Sequence, residues 1–142
     1  MSKIAVVYWS GTGNTEAMAQ AVAEGINSAG ANAELYLAGE FSEDKASAYE
    51  KFAFGCPSMG AEQLEESEFE PMFNSILASL GGKKVALFGS YGWGSGEWMQ
   101  TWEEQVSSEG AVLISEGLIV NEAPDEAALE ECRALGGNLV NY

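Results

Sequence analysis

The segment Tyr8–Thr15, with the sequence YWSGTGNT, is rich in groups that can bind an anion. It contains no lysine, arginine or acid, and four of its small side chains can donate hydrogen bonds: Ser10, Thr12, Asn14 and Thr15. In a turn from a strand to a helix, backbone N–H groups and the helix dipole point at an anion, and glycine lets the backbone approach it closely. The segment therefore predicts a phosphate site without a counter-cation, and an ordinary turn rich in small residues is the alternative.

Two common nucleotide-binding motifs do not match this segment. The Walker pattern G-x-x-x-x-G-K-[ST] needs a lysine that the segment lacks. The pattern G-x-G-x-x-G needs a third glycine where Glu16 stands. The sequence therefore does not favour an NTPase.

Two further glycine-rich loops each carry a large side chain suited to a flat ligand. One covers Cys56–Glu62, with the sequence CPSMGAE, and the other covers Gly89–Gly96, with the sequence GSYGWGSG. Trp93 stands between two glycines and fits neither a helix nor a strand period, so we predict an exposed ring that stacks on a planar ligand. Met59 has a polarizable side chain that suits contact with an aromatic face, and a place in the core is the alternative.

Acidic residues cluster next to the first of these two loops. Five acids occur within nine residues: Glu62, Glu65, Glu66, Glu68 and Glu70. Glu62 is placed to accept a hydrogen bond from a ring N–H. Such a density of like charge is typical of a solvated face, and we expect it also to set the electrostatic potential of the site.

Apolar, β-rich runs predict five strands: 3–8, 34–37, 52–56, 85–89, and a fifth divided into 111–114 and 118–120. Between them, apolar residues at helical spacing predict four helices: Met18, Val22 and Ile26; Phe69, Phe73, Ile76 and Leu80; Trp98, Trp102 and Val106; and Ala128, Cys132, Leu135 and Leu139. Segment 39–50 is ambiguous, and we predict a short helix there.

The alternation of strands and helices predicts an α/β fold. We expect a single doubly wound domain over residues 1–142, with a parallel sheet covered by helices on both faces. In such a sheet the ligand binds beyond the carboxyl ends of the strands, where the strand order reverses. The loops that follow strands one, three and four are therefore predicted to meet at one site.

Net charge is the strongest signal in the composition, because 6 basic residues against 22 acidic ones give −16. Nucleic acid and anionic membrane surfaces repel such a chain. Basic protein partners attract it, and solubility alone is the alternative reason for the acidity. No apolar run approaches the ~18 residues of a membrane span. The N-terminus has no signal-peptide pattern, so we expect the protein in the cytoplasm.

The chain has two cysteines, Cys56 and Cys132, and no histidine. The cysteines do not form a C-x-x-C pair, and the residues offer no plausible set of zinc ligands. We predict that both cysteines are small core residues.

Taken together, the three loops resemble those of flavodoxins of the short-chain, clostridial kind. The matching stretches are YWSGTGNTE at 8–16, MGAEQLEESEFEP at 59–71, KKVALFGSYGWGSGEW at 83–98 and VNEAPDEA at 120–127. The resemblance covers essentially the whole chain apart from segment 39–50. The long insertion of long-chain flavodoxins is missing at the corresponding place, 115–117.

The resemblance implies a flavodoxin-like, five-stranded sheet in the order 2-1-3-4-5, an order for which flavodoxin is a standard example. It also implies non-covalently bound FMN as the cofactor. The implied function is a low-potential one-electron carrier between redox proteins, rather than an enzyme, using the semiquinone/hydroquinone couple of that cofactor.

By position, the resemblance assigns the FMN phosphate to the first loop, helped by one serine from each later loop. The implied contacts are Ser10, Thr12, Gly13, Asn14, Thr15, Ser58 and Ser90.

The resemblance assigns the isoalloxazine ring to the two later loops. Met59 would lie on the inner face of the ring and Trp93 on its outer face. Glu62 would accept a hydrogen bond from N3–H. The backbone N–H groups of Gly92 and Trp93, which follow Tyr91, would meet the pyrimidine edge.

Gly60 is implied as a hinge, whose carbonyl turns to accept a hydrogen bond from N5–H in the half-reduced state. Many relatives have a polar residue at the next position, which is Ala61 in this chain. Trp9 has two interpretations: it contacts the ribityl chain or the ring edge, or it belongs to the core.

The implied partners are basic surfaces of redox proteins. They would dock transiently over the exposed flavin edge, near Trp93 and the acids of 62–70, and we expect the protein itself to be a monomer. A small FMN-dependent reductase of quinones or nitro compounds is the alternative function. The single arginine, Arg133, the absence of histidine and the lack of a second domain weigh against it.

The sequence lacks the motifs of two other classes of protein with a similar fold. A phospho-accepting receiver needs an aspartate at the end of strand three, where Gly55 and Cys56 stand. A phosphatase with the motif Cys-x5-Arg needs an arginine in place of Glu62.

Overall fold

A computed structural model gives the structure of this chain and describes residues 3–59, 63–92 and 94–142. The described residues form six β-strands: β1 (Lys3–Tyr8), β2 (Asn32–Leu37), β3 (Lys51–Gly55), β4 (Lys84–Tyr91), β5 (Val112–Leu113) and β6 (Leu118–Asn121). All their pairings are parallel, in the order β2-β1-β3-β4-β5, and β6 also pairs with β4. Since β5 and β6 share one position in the sheet, the predicted order 2-1-3-4-5 is confirmed.

The described helices are α1 (Asn14–Ser28), α2 (Glu43–Ala46), α3 (Phe69–Ile76), α4 (Glu97–Ser108) and α5 (Glu126–Asn141). All except α2 lie where apolar spacing predicted a helix, and a 3-10 turn, Leu77–Leu80, continues α3 to the end of its predicted pattern. Every residue of the four helical patterns is buried. Segment 39–50 contains the end of a 3-10 turn, Ala38–Glu40, and the four-residue α2, which agrees with the predicted short helix. Within the described ranges, no helix is long and apolar enough to cross a membrane.

Each face of the sheet has its own apolar core, because successive residues of a strand point to opposite faces. On one face, Val6 packs with Val22 of α1 and with residues of α5. On the other face, aromatic rings dominate: Phe73 of α3 meets Phe54 edge-on at 5.2 Å and Trp102 of α4 at 5.7 Å. The sheet is therefore a rigid layer held from both sides.

Both cysteines belong to these cores, as predicted. Cys56 lies in the core under α3 and α4, and Cys132 lies in the core under α1 and α5. Both are free and buried, and burial raises the pKa of each thiol to about 12. Neither thiol is ionised near neutral pH, so neither is a nucleophile there.

Lysines lie at the amino-terminal edge of the sheet. Lys3, Lys51 and Lys84 are the first residues of β1, β3 and β4. The ammonium group of Lys51 donates to the carbonyl oxygens of Leu139, at 2.9 Å, and Val140, at 2.7 Å. These carbonyls end α5, so Lys51 satisfies acceptors that the helix leaves unpaired.

Helices α1 and α5 approach each other through glycine. A Cβ at Gly25 would lie 1.9 Å from the carbonyl oxygen of Arg133, and a Cβ at Gly136 would lie 2.2 Å from that of Val22. Either side chain would force the two helices apart. Gly137, the next residue of α5, is different, because a Cβ there would lie 4.0 Å from its nearest neighbour, the carbonyl oxygen of Gly25.

This contact predicts opposite effects for two adjacent substitutions. Gly136→Ala should lower the free energy of unfolding by about 1–3 kcal/mol, because overpacking outweighs the better helix propensity of alanine. Gly137→Ala, the matched control, should raise it by about 0.5–1 kcal/mol. Urea denaturation of both variants measures the difference, and equal effects would show that the α1–α5 contact is not tight.

Candidate functional site

A cavity of about 260 Å³ opens at the carboxyl end of the sheet, between the loops that follow β1, β3 and β4. Its lining residues come from these three loops and from the residue after β6: Trp9, Gly11, Thr12, Asn14, Pro57, Ser58, Met59, Ser90, Tyr91, Gly92 and Glu122. The strand order reverses between β1 and β3, so the cavity lies at the switch point of the sheet. None of these described lining residues is a lysine or an arginine.

The first loop leaves the start of α1 without a side-chain cap. Gly13 has a φ of 95°, a left-handed conformation that glycine adopts without strain. The hydroxyl of Ser10 accepts a hydrogen bond from the Gly13 N–H at 3.1 Å, which fixes the turn. Thr12 and Asn14 line the cavity beside this turn. The free N–H groups of the first helical turn therefore suit an anion.

Thr15 lies behind the cavity, in contact with one of its walls. Its side chain is buried, and its hydroxyl lies 3.0 Å from that of Ser90, which is also buried and lines the cavity. Ser10 and Thr15 are thus absent from the lining, and their contacts hold Gly13 and Ser90 in place. Sequence spacing predicted Ser10, Thr12, Asn14 and Thr15 alike as ligands, and the structure places Thr12 and Asn14 in the lining and Ser10 and Thr15 next to it.

The second loop continues the pairing of β3 with β4 beyond the end of β3. The N–H of Cys56 donates to Phe88 O at 3.1 Å, and the N–H of Ser58 donates to Ser90 O at 3.0 Å. Ser58 and Met59 therefore lie against the cavity at a fixed distance from the third loop.

Met59 and Gln63 form a closed backbone pair. Met59 N–H donates to Gln63 O at 2.8 Å, and Gln63 N–H donates to Met59 O at 3.0 Å. This pair fixes the positions of Met59 and Gln63 relative to each other. Four of the predicted ligands lie outside the described residues: Gly60, Ala61, Glu62 and Trp93.

The third loop is fixed by α4. The indole Nε1 of Trp98 donates to the carbonyl oxygen of Cys56 at 3.2 Å. A Cβ at Gly89 would lie 2.1 Å from the same oxygen, so glycine is required for this approach. The ring of Tyr91 packs on Trp98 with 5.7 Å between centroids. Tyr91 and Gly92 thereby line the cavity, as the sequence predicted that the third loop would.

Trp9 combines features of both of its interpretations. It lines the cavity, and it also packs against the core under α3 and α4. Its ring covers Gly11, where a Cβ would lie 3.0 Å from the ring edge. Its Nε1 donates to a carboxylate oxygen of Glu68 at 3.0 Å. Trp9 therefore connects the first loop to the acidic cluster.

Glu122 is a cavity residue that the sequence did not single out. It is the one non-glycine residue with positive φ, 58°, in the described part of the chain. Its N–H donates to Tyr91 O at 2.7 Å, which holds it next to the third loop. The signal that could have found it is its position after β6, the strand that pairs with β4. Gly11 and Pro57 also line the cavity from within the first two loops.

Glu65 contradicts the expectation that the whole acidic cluster is solvated. It is only 5% exposed. Its carboxylate accepts hydrogen bonds from the N–H groups of Ser67, Glu68 and Phe69 at 2.8–2.9 Å, and from the Ser67 hydroxyl. Burial alone would raise the pKa of Glu65, but these donors lower it below its usual value. Glu65 therefore accepts hydrogen bonds from N–H groups at the start of α3, which have no partner within the helix.

The fold and the site together define a class of protein. A doubly wound parallel sheet in this order has a ligand cavity at its switch point, and an anion-binding helix start lies at one end of that cavity. These are the features of a flavodoxin-like nucleotide-binding protein.

Comparison with known proteins identifies the family. The family model described as Flavodoxin matches residues 6–136, and the chain belongs to the flavodoxin family. Flavodoxin from Megasphaera elsdenii is 47% identical over 133 residues, covering 94% of this chain and 95% of the relative. Flavodoxin from Clostridium beijerinckii is 45% identical over 136 residues, covering 96% and 98%.

The comparison of structures agrees. The solution structure of two-electron reduced Megasphaera elsdenii flavodoxin matches with a TM-score of 0.90 at 45% identity, covering 98% of this chain and 99% of that one. Flavodoxins are electron-transfer proteins with FMN as cofactor, so the predicted family, fold and cofactor are confirmed. The donor-rich, cation-free lining of the cavity fits the phosphate and hydroxyl groups of FMN.

Glu65→Gln should lower the free energy of unfolding by about 1–3 kcal/mol at neutral pH, because an amide places donors against donors in a buried site. Glu66→Gln is the matched control, since it removes the same charge from an exposed neighbour and should change stability by less than about 0.5 kcal/mol.

The pH dependence gives a second readout. The pKa of Glu65 is lowered in the folded protein, so its stabilising effect is complete above the unfolded value of about 4.3 and is lost as pH falls through the folded pKa. The stability difference between the parent protein and Glu65→Gln should therefore shrink in acid. Urea denaturation at several pH values checks this, and a constant difference down to strong acid would contradict the role of Glu65.

Proposed function

We propose that this chain carries single electrons at low potential between redox proteins, using FMN bound non-covalently in the cavity. The main support is the uncapped start of α1 beside a cavity whose described lining residues include no basic side chain. Such a site binds a phosphate through neutral donors alone, so the charge of the phosphate stays uncompensated.

In this proposal the phosphate lies at the first loop. Thr12, Asn14, Ser58 and Ser90 line the cavity and are the direct side-chain ligands, together with the N–H groups at the start of α1. Ser10, Gly13 and Thr15 were also predicted as contacts. Their hydrogen bonds within the protein favour a supporting role for the two hydroxyl groups, which hold the turn at Gly13 and the wall at Ser90.

The ring is proposed to lie between Met59 and Trp93, with the backbone of Tyr91 and Gly92 at its pyrimidine edge. Met59 and Gly92 line the cavity from opposite loops, which supports this placement. We assign Glu62, next to Ala61, as the acceptor for N3–H by resemblance.

Gly60 is proposed as the redox-linked hinge. The backbone pair of Met59 with Gln63, on either side of residues 60–62, supports this proposal, because it gives the segment fixed ends. Glycine adopts the required range of φ without penalty. A net hydrogen bond of about 1 kcal/mol, made in only one oxidation state, shifts a one-electron potential by roughly 40 mV.

Charge around the cavity is proposed to lower the potential of the semiquinone/hydroquinone couple. The second electron adds negative charge beside an uncompensated phosphate and near Glu122, in a chain of net charge −16. Each negative charge at about 10 Å opposes that electron by roughly 0.4–1.7 kcal/mol for a dielectric constant between ~80 and ~20.

The partners are proposed to be redox proteins with basic surfaces, which form small, transient complexes at the cavity mouth. The protein itself is expected to be a monomer, and the cytoplasm remains the predicted compartment.

Stepwise anaerobic reduction of the protein with one equivalent of FMN tests the function directly. The visible spectrum should show a one-electron-reduced form that accumulates before full reduction, unlike free FMN under the same conditions. Direct reduction by two electrons would favour the reductase alternative. FMN that stays free in solution would refute the proposed site.

Glu122→Gln should raise the potential for the second electron by roughly 20–70 mV, because it removes one negative charge from the cavity lining. Glutamine has nearly the same size as glutamate. It must adopt the same positive φ of 58°, so the substitution does not change the conformational cost of the backbone. Glu131→Gln, on the exposed surface of α5, is the control for net charge. Potentiometric titration measures both variants, and equal shifts would contradict a local effect of Glu122.

A further inference from the structure

Two adjoining cavities form a second concave surface along α4, which we call the α4 groove. One cavity, of about 250 Å³, is lined by Ser95, Gly96, Met99, Gln100, Glu103, Glu116, Gly117 and Ile119. The other, of about 330 Å³, is lined by Glu103, Glu104, Ser107, Leu113, Ser115 and Glu116. Glu103 and Glu116 line both, so the two cavities adjoin along α4. None of the residues of the α4 groove belongs to the cofactor cavity.

The α4 groove has apolar surface between acidic rims. Leu113, which is half-buried, and Ile119 supply the apolar part, and Ile119 is 36% exposed although it is a large aliphatic residue. Met99 lies beneath them as a buried residue of the core. Glu104 lies on the helix side and Glu116 on the side of the β5–β6 connection, and both are exposed. No lysine or arginine is among the described residues that line the groove.

One side chain crosses the α4 groove and holds its two walls together. A carboxylate oxygen of Glu103, on α4, accepts a hydrogen bond from the N–H of Gly117, in the connection between β5 and β6. Met99 lies against Gly117, where a Cβ would meet its sulfur at 2.2 Å. The groove is therefore a fixed feature of the fold, and its free charges are those of Glu104 and Glu116.

The position of the α4 groove relates it to the cofactor cavity. The groove starts at Ser95 and Gly96, a few residues after Gly92, which lines the cofactor cavity. It then follows α4 through Met99 and Glu103 to Ser107, a helical stripe with steps of three and four residues. The stretch of α4 from 97 to 107 measures roughly 15 Å, which is the length of about three helical turns.

We propose that the α4 groove docks a basic, amphipathic helix of a partner protein. Apolar side chains of that helix would cover Leu113 and Ile119, and its lysines or arginines would face Glu104 and Glu116. A second copy of this chain is a poor occupant, because two chains of net charge −16 repel each other. The identity of the partner as a redox protein depends on the function proposed above, and the shape and charge of the groove do not.

A synthetic amphipathic peptide, with lysines on one helical face and leucines on the other, tests the groove. Titration into the ¹⁵N-labelled protein should shift amide signals of α4 and of residues 112–119 more than those of 63–70. The affinity should fall with added salt. A twin peptide with glutamates in place of the lysines should not bind.

Two double variants decide whether the rim residues cause the binding. Glu104→Gln with Glu116→Gln should weaken the peptide roughly fivefold to tenfold. Glu50→Gln with Glu131→Gln removes the same charge from exposed positions away from the groove and should weaken it less than about twofold. Equal losses, or shifts centred on 63–70, would overturn the proposal.

The same titration with and without FMN separates this inference from the proposed function. The groove residues do not contribute to the cofactor cavity, so the peptide should bind in both states. If FMN fails to bind while the peptide still shifts α4, only the electron-carrier function is refuted. If the peptide leaves α4 unshifted in a protein that passes the reduction test, only the groove is refuted.

Discussion

The continued pairing of β3 with β4, beyond the end of β3, is the interaction on which the site depends. Cys56 and Ser58 still donate to the carbonyls of Phe88 and Ser90 after the regular strand has ended. The second and third loops therefore leave the sheet side by side. Gly89 makes this possible, since any side chain there would meet the carbonyl of Cys56. One register thus fixes two walls of the cofactor cavity at once.

Periodicity was sufficient to predict the secondary structure, because burial on a strand or a helix repeats with the geometry of that element. All four helical patterns are buried, from Met18 in α1 to Leu139 in α5. The order of the strands followed only from the family resemblance, because a run of apolar residues does not specify its neighbours. Segment 39–50 was ambiguous for a physical reason: its helix, Glu43–Ala46, is too short to show a period, so only a short helix without bounds was predicted there.

The loops that form the cavity were predicted, and the structure adds how their side chains are arranged. Thr12 lines the cavity and Thr15 is buried behind Ser90, while the phosphate contacts of both stay predictions. Charge density suggested a solvated face at Glu65, whereas four donors hold that carboxylate inside the protein. Glu122 lies at the cavity because β6 pairs with β4. The positions of Thr15 and Glu122 depend on neighbours distant in sequence, which a local pattern does not contain. The burial of Glu65 depends on nearby N–H groups that the turn before α3 brings together, and charge density alone does not show that turn.

The lysines that begin β1, β3 and β4 lie at the opposite edge of the sheet from Glu122, which lines the cofactor cavity. This separation contributes an electric dipole with its negative end toward the cofactor edge. A basic protein that comes within a Debye length, ~8 Å at physiological salt, exerts a torque on this dipole before any contact forms. Tumbling is then biased, so that a larger share of collisions present the cofactor edge first. Fast electron exchange is therefore compatible with a weak complex, because the two proteins orient each other while they approach. A long-lived complex is not needed for that orientation.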